Sequence, residues 1–588
     1  MHLTLKIKKL TLLLFFTVLF ADDVNLTKYP IGFEGQKYFD KSALEDALGV
    51  DNKSFYEFWK TDNPLIKVKL LPSLVETLES FYTSEGFYDV SVGMKVSNKR
   101  VHVTIEENEP VKVKKIEISS DYNITTFINL GKEDIFRAKA FIESKNKIIS
   151  ALLKDGYCSY DLDTKAYVDL EKHSVDLKYD LKKGGICTFG KLSTTGLSTI
   201  DNDVILSRVR ALEGERFSTK LVQDTSNALY SLGAFDSVLI NVDRKFYNVI
   251  PVDIEFEEIA KPYHFEVGAG YDTYVGPRVH AQLTKYNFLG NAQKLNFKVA
   301  WSKKEQLAIG HYFQPALFDL FGYSIDLGAR IGYSNLEFDG FHEEKAFTRA
   351  YFQYENERLK LKVGMALEAI NIEALDNLNE GEALEQAVNE GEFILTYPYV
   401  DVVYDARDSK LNPKYGYYLA GYSEIGLAEE DDSNIYIKAQ LEARFIHTFS
   451  DLTLAVVGKV GVLDDESGKG LPESKYFFGG GSYSNRAYGF REIGVILSPT
   501  EDTINGASSM MNLSFEADYP VWGDLYGAVF TDNTMLTEEA YDFKGEIISS
   551  AGLGVRYMTP IGPFKLDVGF NVNDPSLYGI SFQVGQSF

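Results

Sequence analysis

Residues Ile435–Phe445 read IYIKAQLEARF, an alternation without a break. Ile435, Ile437, Ala439, Leu441, Ala443 and Phe445 share one parity, and Tyr436, Lys438, Gln440, Glu442 and Arg444 share the other. Successive side chains of a strand point to opposite faces, so this segment has one apolar and one charged face. A strand between lipid and an aqueous lumen needs that pattern, although a soluble β-sandwich strand shows it too. Extent separates the two. The texture begins near Lys261, recurs in Leu452–Val462 with Lys459 on the polar side, and runs to the end of the chain. There Tyr578, Ile580, Phe582 and Val584 alternate in the last strand, Leu577–Phe588. Residues 261–588 number 328. At about 20 residues per strand and turn they hold roughly 16 strands, which predicts a 16-stranded antiparallel transmembrane β-barrel. The terminal Phe588 reads as an outer-membrane assembly signal.

The composition fits. The chain has 85 acidic and 60 basic residues, a net charge of −25, two Cys, 37 Tyr and 40 Phe. This acidity argues against duplex nucleic acid, whose phosphates need Lys and Arg. Two cysteines build neither a disulfide scaffold nor a four-thiolate metal site. With 25% charged and 45% apolar residues, a polytopic helical membrane protein is excluded. A barrel is not, because its apolar half is distributed along alternating strands. The abundant Tyr and Phe suit interfacial girdles.

At the N-terminus, Lys6, Lys8 and Lys9 precede an apolar run from Leu10 to Ala21. The run is too short to span a bilayer, which needs about 20 helical residues, and its flanks fit a secretory signal peptide over residues 1–21. The expectation is an exported protein without a helical anchor.

Between the signal and the barrel, a helix-like stretch ending in Gly and an aromatic, then a strand, occurs three times. The segments are LVETLESFYTSEGFYDVSV with Gly86 and Phe87, NKIISALLKDGYCSYDL with Gly156 and Tyr157, and NALYSLGAFDSVLI with Gly233 and Phe235. The glycines lie 70 and 77 residues apart, and glycine suits a helix C-terminus needing positive φ. Alternating strands follow at Val101–Glu107, Val175–Leu181 and Val252–Glu257, and others open the units at Val111–Ile118, Cys187–Ser193 and, less distinctly, near Lys28–Gly35. The pattern predicts three α+β repeats of order β-α-α-β-β at 22–109, 110–184 and 185–260.

The segment YFFGGGSYSNRAYGFREIG, Tyr476–Gly494, is unusual for a plain barrel. With its three glycines and Arg486-Ala487-Tyr488 it resembles the signature loop of the Omp85 superfamily. Three further segments resemble that superfamily: YDARDSKLNPKYGYYL (Asp405, Arg407, Asp408, Pro413, Gly416), GAVFTDNT (Phe530, Asp532), and GLGVRYMTPIGPFKLDVGF (Gly552, Gly554, Arg556, Pro560, Gly562, Pro563, Asp567). The repeats then resemble POTRA domains. Their number and the segment GAGYDTYVGPRV resemble the TamA subgroup.

The resemblance implies an outer-membrane protein of a Gram-negative bacterium with its POTRA repeats in the periplasm. It implies an insertase or translocase for autotransporters and other barrel proteins, working with a TamB-like partner anchored in the inner membrane. Its clients are unfolded outer-membrane proteins meeting outer-membrane lipid. It further implies that the loop folds into the lumen and is latched there by Gly479, Gly480, Arg486 and Tyr488 against Glu516 and Asp532. Glycine is usual where Ala487 stands, which bears on any tip conformation needing positive φ.

The seam between the first and last strands is the expected lateral gate, with Phe265, Gly268, Gly270, Gly579, Phe582, Gly585 and Phe588 beside it. Glycine weakens strand packing, and a weak seam exposes ladder groups to an incoming strand. The alternatives are the general barrel-assembly subunit and a passive porin with periplasmic binding modules.

No enzyme, metal or cofactor signature stands out. The eight histidines form no metal-spaced cluster, and the GGGS run has no lysine-bearing helix after it. Glu373–Glu392, with seven carboxylates and no Lys or Arg, reads as a solvated extracellular loop. Cys158 and Cys187 fall in adjacent repeats, and whether they pair stays open.

Overall fold

The computed structural model describes residues 27–50, 64–242, 248–272, 276–338, 341–374, 389–429, 433–465, 470–496, 504–559 and 562–584. The signal-peptide segment 1–21 lies outside the described residues, as do 375–388 of the acidic stretch. The chain forms two compact units.

The first module comprises β1 (Lys28–Glu34), α1 (Lys41–Ala47), β2 (Leu65–Lys67), α2 (Leu71–Ser84), β3 (Ser91–Ser97) and β4 (Arg100–Glu106). The second has β5 (Lys112–Ser120), α3 (Ala138–Lys154), β6 (Asp161–Asp169) and β7 (Ser174–Lys182). The third has β8 (Thr188–Thr195), α4 (Asn202–Leu206), α5 (Thr219–Ser231), β9 (Phe235–Val242) and β10 (Val249–Glu258). All three sheets share one order, with the first strand beside the last: β2-β1-β4-β3, β5-β7-β6 and β8-β10-β9. The pairs β1–β4 and β5–β7 are parallel, which requires a crossover, and the helices supply it.

Only the third module has the expected β-α-α-β-β order. The first adds β2, three residues long and too short to show a period. The second replaces its first helix with one 3-10 turn, Thr125–Phe127, where β-branched Ile124, Thr125 and Thr126 disfavour a helix. The helices bury one stripe each: Leu74, Leu78 and Tyr82 on α2, and Ser144, Ile148 and Leu152 on α3. Buried Ser144 is satisfied, its hydroxyl donating to the Ala140 carbonyl at 2.8 Å and accepting from the Asn129 N–H at 2.9 Å.

The repeated glycines do more than end helices. Gly86 and Gly156 have φ of 99° and 79°. The N–H groups after them, Phe87 and Tyr157, reach back to the Tyr82 and Leu152 carbonyls at 2.9 and 2.8 Å, closing Schellman-type caps. Each glycine also abuts the next module. A Cβ at Gly86 would lie 2.6 Å from the Phe136 carbonyl oxygen, and one at Gly156 would lie 2.9 Å from that of Phe217. The Val111 N–H donates to the Gly86 carbonyl at 2.9 Å and the Phe136 N–H to the Val111 carbonyl at 2.8 Å. The next joint repeats this relay with Cys187, Gly156 and Phe217 at 2.9 and 2.8 Å. A disulfide between Cys158 and Cys187 reinforces it, with Cα atoms 6.0 Å apart. The two cysteines bracket a loop of 29 residues, for which the chain-entropy account gives about 3–4 kcal/mol.

In the second unit the third glycine, Gly233 (φ 66°), faces Tyr286, which follows the second barrel strand, Gly276–Lys285. Arg208 donates twice to Asp326 on a barrel strand, at 2.8 Å each. Glu258 accepts from the N–H groups of Ser198 and Thr199 at 2.7 and 2.9 Å and from both hydroxyls, while the Asn287 amide donates to the Thr199 hydroxyl at 2.7 Å. Burial pushes the Glu258 carboxyl up, but these hydrogen bonds outweigh it and hold it down at about 2 against a usual 4.5. A carboxylate with a depressed folded pKa contributes stability above its unfolded pKa and loses it as pH falls through the folded one. Acidification from pH 4.5 towards 2 is therefore expected to lower the melting temperature of wild type more than that of Glu258→Gln, as thermal unfolding in detergent would measure.

The barrel begins with β11 (Tyr263–Asp272), β12 (Gly276–Lys285), β13 (Lys294–Trp301), β14 (Glu305–Leu320), β15 (Tyr323–Glu337) and β16 (Phe341–Glu355). It continues with β17 (Leu359–Ala374), β18 (Gly391–Asp405), β19 (Tyr415–Glu429), β20 (Ser433–Phe449) and β21 (Leu452–Asp465). A long loop follows, with a small pair β22 (Val495–Ile496) and β23 (Ile504–Asn505). The barrel ends with β24 (Ser509–Trp522), β25 (Leu525–Thr537), β26 (Ile547–Tyr557), β27 (Phe564–Asn571) and β28 (Tyr578–Val584). Apart from β22 and β23, these form one sixteen-stranded sheet in sequence order.

On β20 the alternation is realised as expected: Ile435 and Leu441 are 53% and 61% exposed on the outer face, while Tyr436 is buried. The lumen is not uniformly polar, however. Phe393, Leu395, Tyr397 and Tyr399 of β18 point inward and join Ile370, Ile372, Leu471 and Phe477 in one apolar cluster. Part of the lumen is thus an apolar core that seats the long loop.

Candidate functional site

The glycines of the loop let its backbone fold back on itself. Gly480 and Gly481 have φ of 94° and 90°, and a Cβ at Gly480 would lie 2.3 Å from the Gly489 carbonyl oxygen. Gly479 and Ile493 exchange N–H···O bonds of 2.7 and 3.2 Å, and the Gly481 N–H donates to the Tyr488 carbonyl at 3.0 Å. Among the described non-glycine residues of the loop, positive φ falls at Arg491 and not at Ala487. The tip therefore does not need glycine at position 487.

Folded this way, the loop presents Arg486 to the inner wall. Its Nε and Nη2 donate to the two oxygens of Asp532 at 2.9 and 3.0 Å, and its own N–H donates to Oδ2 at 3.0 Å. Nη1 donates to Glu516 Oε2 at 2.5 Å and lies 3.5 Å from Asp567 Oδ2. The guanidinium stacks on Phe530, with Cζ 3.4 Å from the ring centroid. The planar fork suits a bidentate carboxylate and an aromatic face together, which lysine does not. Tyr488 accepts a hydrogen bond from the Asn571 amide at 2.5 Å.

The structure thus brings Gly479, Gly480, Arg486, Tyr488, Glu516 and Asp532 together, and it adds residues that sequence reasoning had not assigned to the site. Arg556, fully buried, donates to Glu516 at 2.8 Å and to Asp567 at 2.5 Å, and Lys565 stands 3.9 Å from Glu516. Three cations meet Glu516, Asp532 and Asp567, with Asp518 also buried nearby. The Gly-x-Gly-x-Arg motif carried the signal for Arg556. A Cβ at Gly552 would lie 2.2 Å from Phe530, and one at Gly554 would lie 2.1 Å from Asp567 and 2.4 Å from Arg556. Those glycines clear space for the cluster.

The residues expected to flank a lateral gate divide. Phe265 and Phe582 are exposed on the outer face. Gly268 makes room for the His280 ring opposite it, and Gly270 pairs with Arg278. Gly585 and Phe588 lie outside the described residues, as does Pro560. Gly579 has a different physical role from general weakening of the seam. A Cβ there would lie 2.5 Å from the Arg486 carbonyl oxygen, and one at Gly569 would lie 2.8 Å from the Arg486 carbonyl carbon. The backbone of the loop tip rests on the last two strands.

Gly579→Val is expected to push the tip off, because the clash is with backbone and has no flexible side chain to give. The loop should become several-fold more sensitive to protease. Gly458→Val, whose nearest neighbour is Leu513 at 3.9 Å, should not.

A cavity of about 1250 Å³ adjoins the tip, and consecutive residues Tyr578 to Gln583 all line it. A strand paired on both sides offers only alternate residues to a lumen. Here the cavity reaches around the backbone edge of β28.

A sixteen-stranded barrel that follows periplasmic-type α+β modules and holds an arginine-tipped loop in its lumen defines a class of outer-membrane protein. The sequence matches the Omp85 superfamily domain over residues 287–588, just over half the chain. The chain belongs to the Omp85 superfamily, and it is an outer-membrane protein of a Gram-negative bacterium with POTRA modules in the periplasm. It is 21% identical over 567 residues to the outer membrane protein assembly factor BamA of Nitratidesulfovibrio vulgaris, covering 92% of this chain and 70% of that protein. It is 20% identical over 633 residues to BamA of Neisseria meningitidis serogroup B, covering 95% and 78%. The crystal structure of BamA from Haemophilus ducreyi lacking POTRA domains 1–3 superposes with a TM-score of 0.53 at 16% identity, over 81% of this chain and 99% of that one.

Proposed function

We propose that this protein inserts or translocates other outer-membrane proteins, autotransporters among them, by noncovalent templating at the β11–β28 seam. One observation carries the reading: the Arg486 tip lies on β27 and β28, so the ion pairs that hold the loop also bear on the gate strand. The cavity around the β28 edge supports an edge that pairs with a client strand. Short strands flank the seam, with 10, 10 and 8 residues in β11, β12 and β13 and 8 in β27, against 14–17 in β14–β21. A short apolar band favours a locally thinned bilayer, which lowers the barrier to insertion. No step calls for a nucleotide or cofactor.

The three modules and the GAGYDTYVGPRV segment support a TamA-type protein with a TamB-like inner-membrane partner. The BamA relatives favour a second reading, the general barrel-assembly subunit. Depletion followed by quantification of outer-membrane proteins tests both. Loss of autotransporters and a few large barrels supports the first, loss of nearly all barrels supports the second, and no loss with altered conductance sinks both in favour of a porin.

A further inference from the structure

Eleven residues before Arg486 the same loop carries a second buried cation. Lys475 is 8% exposed. Its Nζ lies 2.9 Å from Glu424 Oε1 and 3.3 Å from Glu368 Oε2, and 4.0 Å from the centroid of the Tyr397 ring. The cage is closed from behind. Arg349 and the Tyr397 hydroxyl donate to Glu368 at 2.5 and 2.7 Å, and the Tyr436 hydroxyl donates to Glu424 at 3.0 Å. Lys438 donates to the Lys475 carbonyl at 2.5 Å. On either side Leu471 and Phe477 sink into the apolar cluster of the lumen. Asn389 and Asn434 donate to the Leu471 and Gly470 carbonyls at 3.0 and 3.2 Å.

The two attachments lie on different walls, Lys475 on β17 and β19 and Arg486 on β24, β25 and β27. They also differ in what release leaves behind. If Arg486 withdraws, Glu516 and Asp567 each lose one ion pair but keep Arg556, and among the described residues Asp532 is left with none. If Lys475 withdraws, Glu424 loses its one ion pair among the described residues while staying buried, and the apolar contacts are lost with it. Each release thus leaves one buried carboxylate without its cation, Asp532 or Glu424, at comparable cost, but only withdrawal of the base also takes Leu471 and Phe477 out of the apolar cluster. The tip is therefore the easier end to free.

We propose that Lys475 is the fixed attachment of the loop, so that release of Arg486 swings the tip about Lys475 while the base stays in the lumen. This rests on reading Arg486 as a latch. Lys475 is a positioning residue: it sets where the tip moves and touches no client.

Single-cysteine reporters in the full-length protein test it in outer-membrane vesicles. The two native cysteines are bonded to each other and leave no free thiol. Ser484→Cys reports on the tip and Ser474→Cys on the base, read as the rate of labelling by a bulky maleimide. Arg486→Ala should speed tip labelling at least tenfold and leave base labelling within twofold of wild type. Lys475→Glu should speed base labelling at least tenfold, and Lys475→Glu with Glu424→Lys should restore protection, which a merely volumetric role would not. Lys475→Met removes the charge more gently and decides the matter if the reversal prevents barrel assembly. A base exposed by Arg486→Ala, or still protected in Lys475→Met, overturns the proposal. A tip unmoved by Arg486→Ala refutes the latch instead, and the Lys475 variants still judge the base.

Discussion

Arg486→Ala is expected to free the loop tip and to lower client assembly at least tenfold. Removing one partner of a buried ion pair costs about 3–5 kcal/mol, much of it from the carboxylates left behind. Here Asp532, 0% exposed, loses the side chain that bonds both its oxygens, and Phe530 loses its stacked cation. Arg486→Lys should retain part of the attraction and none of the bidentate geometry, so an intermediate phenotype is expected. Arg486→Ala with Asp532→Asn separates stability from latching. It removes the orphan charge and should recover much of the thermal stability, yet leave assembly low. Trypsin digestion of membranes reads the loop directly, and loop resistance unchanged from wild type would reject the latch.

Locking the seam is expected to abolish assembly. A bis-maleimide bridging cysteines placed at Phe265 and Val584 would join the first strand to the last without touching the Arg486 cluster. A reducible bond would be ambiguous, because reductant also opens Cys158–Cys187. Each single-cysteine variant treated with the same reagent is the control. A strand that must be added between β28 and β11 has no entry once they are joined. Full activity in the bridged protein would mean that clients do not pass through this edge.

The barrel was legible in the sequence because β20 repeats its two-residue period without interruption. The loop was legible because Arg486 and its glycines resemble the superfamily's signature loop, and Asp532 because Phe530 and Asp532 resemble a further segment of the same family. What was hidden depended on register. Alternation tells that β18 has two faces but not that Phe393, Leu395 and Tyr397 turn inward. Gly554 and Gly579 look like weak points in a strand until the atoms beside them are placed, when both prove to be clearances for a neighbour. Lys475 carried no local signal, since its partners lie 51 and 107 residues away on two strands. The short β2 and the missing first helix of the second module escaped because one turn or three residues cannot display a period.

The glycine joints bear on how such an arm can change length. The first two use the same backbone relay, Gly86–Val111–Phe136 and Gly156–Cys187–Phe217, and at the third position Gly233 meets the barrel's own Tyr286. Each module offers its successor a glycine and receives an aromatic in return, so the coupling is largely independent of which module stands on either side. A copy inserted or removed between two joints leaves the remaining connections intact. The number of modules is in that sense a setting separate from the barrel.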